Sequence, residues 1–212
     1  PQPSVKNLAL KCGILKTAPL AKLDDTVKEA KAKKRKIHFL PPYRGETCMT
    51  LGSLLRENPC QMKTLASQDL IKAVVSLRSV KEEPEVREIE KAVDIAYDMH
   101  VNAMKMCRVG VSEQEIFGKI EGIAFARGNG TSFPIILSIN GQTLHNHDHG
   151  NILKKGRMMV TDAGAESLLH YASDITRTTP VGGKFSSQQK DIYEIVLKAN
   201  TESIKASRPG LS

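Results

Sequence analysis

A long helix with a well-marked start is the feature of this sequence that most constrains its fold. Residues 82–85 read Glu-Glu-Pro-Glu, and a proline among acidic residues is typical of the first turn of a helix. Apolar residues then recur every three or four positions, at Val86, Ile89, Val93, Ala96, Tyr97 and Met104. This spacing predicts an amphipathic helix that ends near Cys107 and buries one face against other elements.

Downstream of that helix, the sequence predicts a second helix, three strands and a last helix. Ser112 and Glu115 have the spacing of a capping box and predict a second helix, which ends at the Gly-Asn-Gly of residues 128–130. Three apolar segments with the length of strands follow, at residues 133–139, 158–163 and 171–176, and Ser186 then opens a last helix. Residues 82–212 are therefore predicted to run helix, helix, three strands, helix.

The first 80 residues predict a smaller α/β unit. Residues 23–34 have helical spacing, with acidic residues early and lysines late, as the helix dipole favours. Residues 37–40 predict a short buried strand, which the two following prolines stop. A second helix is predicted over residues 51–56, and Asp69 is predicted to cap another that runs to Val75.

Composition narrows the class of protein. The sequence has no run of 18 apolar residues, which excludes a long apolar membrane helix. Its four cysteines are scattered without a CxxC pair, which favours free thiols in a reducing compartment and hence a cytoplasmic location. The net charge of +8 comes partly from a basic run within residues 31–36. Such a run could attract nucleic acid, but the sequence favours a solvated helix end.

Two aspartates stand out because they lie in apolar, strand-like segments. Asp162 belongs to the second predicted strand, and Asp174 follows in the third. A carboxylate in a strand core is costly unless it is paired or binds a metal. Two aspartates on one face of neighbouring antiparallel strands can share ligands, and their oxygens suit Mn, Mg, Co or Zn. An alternative stays open, in which Asp162 caps a turn and Asp174 pairs with Arg177.

A second polar segment holds three alternate histidines, His145, His147 and His149. On an extended segment they project the same way and could form a zinc site. Asn, Asp and Gly between and after them are also typical of an exposed loop. The residue types favour the loop, with one histidine facing a site.

The order and wording of these motifs resemble aminopeptidase P and prolidase, which are pita-bread metallopeptidases. The matching segments are Pro134-Ile135-Ile136, Leu144-His145, and residues 161–166, 171–181, 183–186 and 189–197. The resemblance covers about residues 70–212, and residues 37–81 resemble the later part of the family's N-terminal domain. It implies an α/β (α+β) fold class, with a partial creatinase-like N-terminal α/β domain over residues 1–80 and the first half of a pita-bread catalytic domain over residues 81–212.

The resemblance also implies a metal centre. In this family two Asp, one His and two Glu hold two divalent metal ions, for which we expect Mn²⁺, with Co²⁺ or Zn²⁺ as alternatives. Asp162 and Asp174 match the two aspartates, and His145 matches a histidine that contacts substrate. The connection between the aspartates is one residue longer than in the commonest pattern, a change to which strand register is sensitive.

The implied activity is that of a Xaa-Pro aminopeptidase, which removes an N-terminal residue linked to proline. Prolidase, which requires a dipeptide, and a non-catalytic pita-bread binding module are the alternatives. The remaining His and Glu ligands have no match in this sequence, so we expect an incomplete, inactive portion with no catalytic residue of its own. The expected partners are a peptide with proline at the second position and further copies of the chain, without a membrane or nucleic acid.

Overall fold

The computed structural model of the chain describes residues 3–211. The chain divides into two compact units, Pro1–Val80 and Lys81–Ser212. Assignment of these units to an N-terminal domain and half of a catalytic domain stays a prediction. Within residues 3–211, no helix combines the length and the apolar character that crossing a membrane would require.

All regular elements in the described part of the first unit are helices. Its elements are α1 (Val5–Lys11), α2 (Leu23–Ala32), α3 (Gly45–Leu55) and α4 (Gln68–Ser79), with short 3₁₀ helices at Leu20–Lys22 and Pro59–Gln61. Its small core is an apolar cluster of Val27, Leu55 and Met62. Helices α2 and α3 confirm two of the sequence predictions, although α3 begins several residues earlier than expected.

The strand predicted at residues 37–40 does not form. Ile37 and Phe39 pack against the apolar cluster, whereas His38 and Leu40 are exposed, so the segment has the alternating burial of a strand. No strand lies beside it among the described residues of this unit, so it has no ladder to join. Asp69 is not a cap either, because Ser67 caps α4 by accepting from the Leu70 amide at 3.2 Å.

The second unit has the predicted order of elements. It comprises α5 (Glu83–Met106), α6 (Glu113–Arg127), β1 (Ile136–Ser138), β2 (Met158–Ala163), β3 (Ile175–Pro180) and α7 (Ser187–Ala206). All three helices begin with a capping box, formed by Glu82 with Glu85, Ser112 with Glu115, and Ser186 with Gln189. Reciprocal bonds of this kind satisfy amides at a helix start and fix where the helix begins.

The three strands form one antiparallel sheet in the order β1-β2-β3. Asp162 of β2 lies opposite Ile136 on one side and Thr176 on the other. Met159, Thr161 and Ala163 of β2 are buried. They face a core to which α5 and α6 contribute Met99, Ile116 and Ile120.

Two strands have different bounds from those predicted. β1 is restricted to Ile136–Ser138, and β3 begins only at Ile175. Before β3, the Ala165 amide donates to Ser173 Oγ (3.0 Å), while the Ser173 carbonyl accepts from Ser132 Oγ (2.6 Å). Side-chain oxygens thus replace part of the backbone ladder, which is why a regular strand does not extend back to Tyr171.

Candidate metal site

Asp162 and Asp174 lie on the same face of the β2–β3 hairpin. Asp162 pairs with Thr176 within the sheet. The Ser173 amide donates to the Ala165 carbonyl at 3.0 Å, which continues the register past the start of β3 and sets Asp174 opposite Gly164. Because side chains alternate between faces, both aspartates project away from the buried side of the hairpin. They are diagonal neighbours on this face, because Asp162 pairs with Thr176 and not with Asp174.

Diagonal spacing is compatible with a pair of cations. The Cα atoms of diagonal residues in an antiparallel pair are about 7–8 Å apart. The two ions of a two-metal site are only about 3.5–4 Å apart, so this spacing leaves room for both ions between the two side chains. Asp162 is half-buried, and its Oδ1 accepts from Thr176 Oγ1 at 2.8 Å, whereas Asp174 is exposed. The donor set therefore fits hard divalent cations.

The alternative roles for the two aspartates are not realised. Asp162 lies within β2 rather than at a turn. Arg177 donates to the Thr176 carbonyl at 2.7 Å, and no ion pair joins it to Asp174 in the described chain. Over residues 3–211 no three His, Cys, Asp or Glu side chains are grouped to hold a metal ion. The two carboxylates therefore supply only part of a coordination shell.

His100 lies on the buried side of the same hairpin and was missed by sequence reasoning. It is 4% exposed, and its Nε2 is 3.1 Å from the Ala163 carbonyl. Burial lowers the pKa of His100 below its ordinary value of 6.5, so the neutral ring is favoured. Its position on the buried stripe of α5, between Ala96 and Ala103, was the available signal.

Among the described residues, the three alternate histidines are not grouped as a metal site. His145 is exposed on the loop between β1 and β2, with a left-handed backbone φ of 53°. His149 is buried, stacks on Phe117 with ring centroids 4.3 Å apart, and has its Nδ1 3.1 Å from the Leu137 carbonyl. The segment is therefore a loop, as its residue types predicted. The role of His145 in substrate contact stays a prediction.

The loop that carries His145 starts over the face that holds the aspartates. A side chain on Gly141 would bring its Cβ within 3.2 Å of Val160 Cγ1, so the loop backbone approaches β2 closely. Val160 and Asp162 lie on the same face of β2, because residues i and i+2 of a strand project to the same side. Gly141, Val160 and Thr178 border a cleft of about 510 Å³. The start of this loop therefore borders a cleft on the face of β2 that carries Asp162.

The basic run of the first unit is largely compensated by acidic side chains. Lys33 Nζ is 2.5 Å from a Glu29 oxygen, and Lys36 Nζ is 2.8 Å from an Asp69 oxygen. Exposed pairs of this kind add little stability, but they reduce the field available to attract a polyanion. They favour a solvated helix end over a nucleic-acid site.

The chain belongs to metallopeptidase family M24, whose model matches residues 87–212. It is 36% identical over 144 residues to the Xaa-Pro aminopeptidase of Escherichia coli K12, covering 66% of this chain and 32% of that protein. It superposes on an Escherichia coli aminopeptidase P variant in complex with substrate, with a TM-score of 0.76 at 26% identity, over 95% of this chain and 48% of that one. The Xaa-Pro dipeptidase from Bacillus anthracis gives a TM-score of 0.72 at 26% identity, over 92% and 53% of the two chains.

These similarities confirm the predicted family and the mixed helix and strand fold. The chain spans about a third of the length of the curated relatives it matches first. Membership of a metallopeptidase family implies divalent metal ions. The assignment of Asp162 and Asp174 as ligands of such ions stays a prediction.

Proposed function

We propose that this chain supplies two aspartate ligands to a metal-dependent Xaa-Pro aminopeptidase. The observation that carries the proposal is the common face of Asp162 and Asp174, neither of which forms an ion pair in the described chain. The proposed substrate is a peptide with proline at the second position. The proposed metals are two divalent ions, with Mn²⁺ preferred over Co²⁺ or Zn²⁺.

Each named residue has a distinct part in this proposal. Asp162 and Asp174 would both act as ligands to the divalent ions. Thr176 holds Asp162 in place by donating to Oδ1, which leaves Oδ2 for a cation. His145 contacts the bound peptide from the loop above. When bound, divalent ions lower the pKa of water and polarise the carbonyl that precedes proline.

Calorimetric titration with Mn²⁺ tests the proposed ligands. We expect weak binding to the chain, and at least a tenfold loss of affinity in Asp162→Asn and in Asp174→Asn. Removal of a residue that only supports a ligand typically costs about 10–100-fold, so removal of a ligand has at least a comparable effect. Asp94→Asn, a matched change at an exposed position of α5, leaves binding unchanged. Full binding in both test variants would exclude the aspartates and direct attention to His145, His147 and His149.

A second candidate function is that of a Xaa-Pro dipeptidase. It is favoured by the similarity to the dipeptidase from Bacillus anthracis and to the prolidase from Pyrococcus furiosus, the latter with 32% identity and a TM-score of 0.61. The two activities differ in the length of the peptide accepted. In the enzyme that contains this chain, we expect kcat/KM to be higher for a tripeptide with central proline than for a Xaa-Pro dipeptide. The reverse order would favour the dipeptidase.

A cytoplasmic location is a further part of the proposal. All four cysteines are free thiols, with Cys12 and Cys60 exposed and Cys107 buried. Free exposed thiols are typical of reducing compartments.

Self-association through α7 is also proposed. None of its residues is buried, and Ile195, Val196 and Ile204 are each more than 60% exposed. Contiguous exposed apolar surface of this kind is typical of interfaces. We expect light scattering to show a dimer or larger species that Val196→Glu converts to a monomer. Gln188→Glu, which adds the same charge to the polar part of α7, should leave the mass unchanged, and a monomeric wild-type chain at high concentration would contradict the proposal.

A further inference from the structure

Glu113 is a buried carboxylate that none of the proposed metal chemistry uses. It is the first residue of α6 and is 0% exposed. Its Oε1 accepts from the Ile139 amide at 2.7 Å, and its Oε2 accepts from Asn151 Nδ2 at 3.0 Å. Ile139 and Asn151 flank the loop that carries His145. One carboxylate therefore joins the two ends of that loop.

Glu113 has hydrogen-bond partners for both carboxylate oxygens and for its backbone amide at this buried position. The Glu113 amide donates to the Asn151 carbonyl at 2.9 Å, which fixes the backbone beside the carboxylate. The residue is also at the N-terminus of α6, where the helix dipole favours a negative charge. Both carboxylate oxygens thus have donors, as a buried polar group requires.

Other contacts support the same loop. Asn140 Nδ2 donates to Asn151 Oδ1 at 3.5 Å, and His149 Nδ1 lies 3.1 Å from the Leu137 carbonyl, so the Glu113 contact is the shortest that joins the two ends. Arg157 donates to the Ile139 carbonyl and to Asn140 Oδ1, both at 2.7 Å. Between the ends, His145 is exposed and has a left-handed backbone conformation. The placement of this side chain therefore depends on how firmly the two ends of the loop are held together.

We propose that Glu113 is a positioning residue for His145. Its side-chain hydrogen bonds go to Ile139 and Asn151 and not to either aspartate. By joining Ile139 to Asn151, it restricts the conformations of the loop, whose start borders the face that carries Asp162, and so positions His145. The inference rests on the proposed function for the role of His145, whereas the restriction of the loop is independent of it.

A reciprocal exchange of amide and carboxylate tests the contact. Glu113→Gln keeps an acceptor for the Ile139 amide but turns an amide toward Asn151, so two donors face each other. Adding Asn151→Asp supplies an acceptor again and restores a donor–acceptor pair. Glu115→Gln is the matched control, because it makes the same change at an exposed position in the first turn of α6.

Hydrogen exchange of the ¹⁵N-labelled chain gives the first readout. The Thr143 amide bonds to the Asn140 carbonyl within the loop at 2.9 Å and does not contact Glu113. We expect its exchange to be about tenfold faster in Glu113→Gln, because local opening becomes easier. It returns toward the wild-type rate in the double variant, stays unchanged in Glu115→Gln, and the amides of β2 are unaffected. An unchanged Thr143 rate in Glu113→Gln overturns the proposal.

Paramagnetic broadening of NMR signals by Mn²⁺ gives a second readout. It reports how close His145 lies to the metal, which would not change if Glu113 only stabilised the fold. Mn²⁺ at the aspartates should broaden the amide signals of Ala163 and Ile175 equally in all variants. Broadening of the His145 ring should decrease in Glu113→Gln and recover in the double variant. Equal His145 broadening in all variants overturns the positioning role. Absence of broadening at Ala163 and Ile175 in the wild-type chain would contradict the metal site, while the exchange rates still decide whether Glu113 holds the loop.

Discussion

Gly164→Ala is expected to destabilise the second unit by at least about 3 kcal/mol, beyond the usual range for an overpacked site. A Cβ at this position would lie 1.8 Å from the Ser173 carbonyl oxygen and 2.4 Å from Ser132 Oγ. The Ser173 carbonyl is held by a 2.6 Å bond from Ser132 Oγ, so neither group can move aside alone. Because the obstacle is backbone, the hairpin must open, and urea unfolding monitored by circular dichroism measures the loss.

Gly122→Ala is the matched control for this result. Gly122 lies within α6, and nothing is within 4 Å of the position a Cβ would take. Replacement of an unhindered helical glycine by alanine stabilises by roughly 0.5–1 kcal/mol. Similar unfolding midpoints for the two variants would mean that the strands at Gly164 can separate without cost.

Since Gly164 lies opposite Asp174, we also expect Gly164→Ala to abolish Mn²⁺ binding.

Alkylation of Cys107 in the folded chain is expected to be at least about 100-fold slower than that of an exposed thiol with an ordinary pKa. Burial raises the pKa of Cys107 from its ordinary value of 9.0 to about 11. Its Sγ lies 3.8 Å from the carbonyl oxygens of Thr179 and Pro180, on the buried side of β3. Since the thiolate is the reactive form, a pKa higher by two units lowers its population about 100-fold at pH 8, and restricted access lowers the rate further.

Mass spectrometry of iodoacetamide-treated peptides measures this difference. The exposed residues Cys12 and Cys60 should be labelled first. In a denaturant, Cys107 should react as fast as they do, which shows that the protection comes from the fold. Native-state labelling of Cys107 at the rate of Cys60 would mean that the core beneath β3 opens readily.

The helices of the second unit were predictable because their starts are encoded locally. Capping boxes depend on residues three positions apart, so Ser112 and Ser186 could be recognised without knowledge of the fold. The bounds of β1 and β3 were not predictable in this way. The start of β3 depends on contacts such as that of Ser132 with Ser173, residues 41 positions apart.

The candidate site was predictable to a similar degree. An aspartate in each of two apolar segments indicated Asp162 and Asp174, but their diagonal relation depends on the register of the hairpin. The buried positions of Glu113 and His100 were not predicted, because their hydrogen-bond partners are 26 and 63 residues away in the sequence. From the sequence alone, a buried polar residue cannot be distinguished from an exposed one when its hydrogen-bond partner is distant in the chain.

The uniform register of the β2–β3 hairpin determines where this chain can tolerate insertions. Pairing continues from Met158 with Pro180 to the bond from the Ser167 amide to the Tyr171 carbonyl, and only residues 168–170 lie beyond it. Because that tip is exposed and unpaired, a residue added there lengthens the turn and leaves both aspartates on their face. A single residue added between Asp162 and Ser167 would instead exchange the inner and outer faces and turn a carboxylate into the core. The extra residue of this hairpin is therefore compatible with an intact site if it is accommodated at the tip.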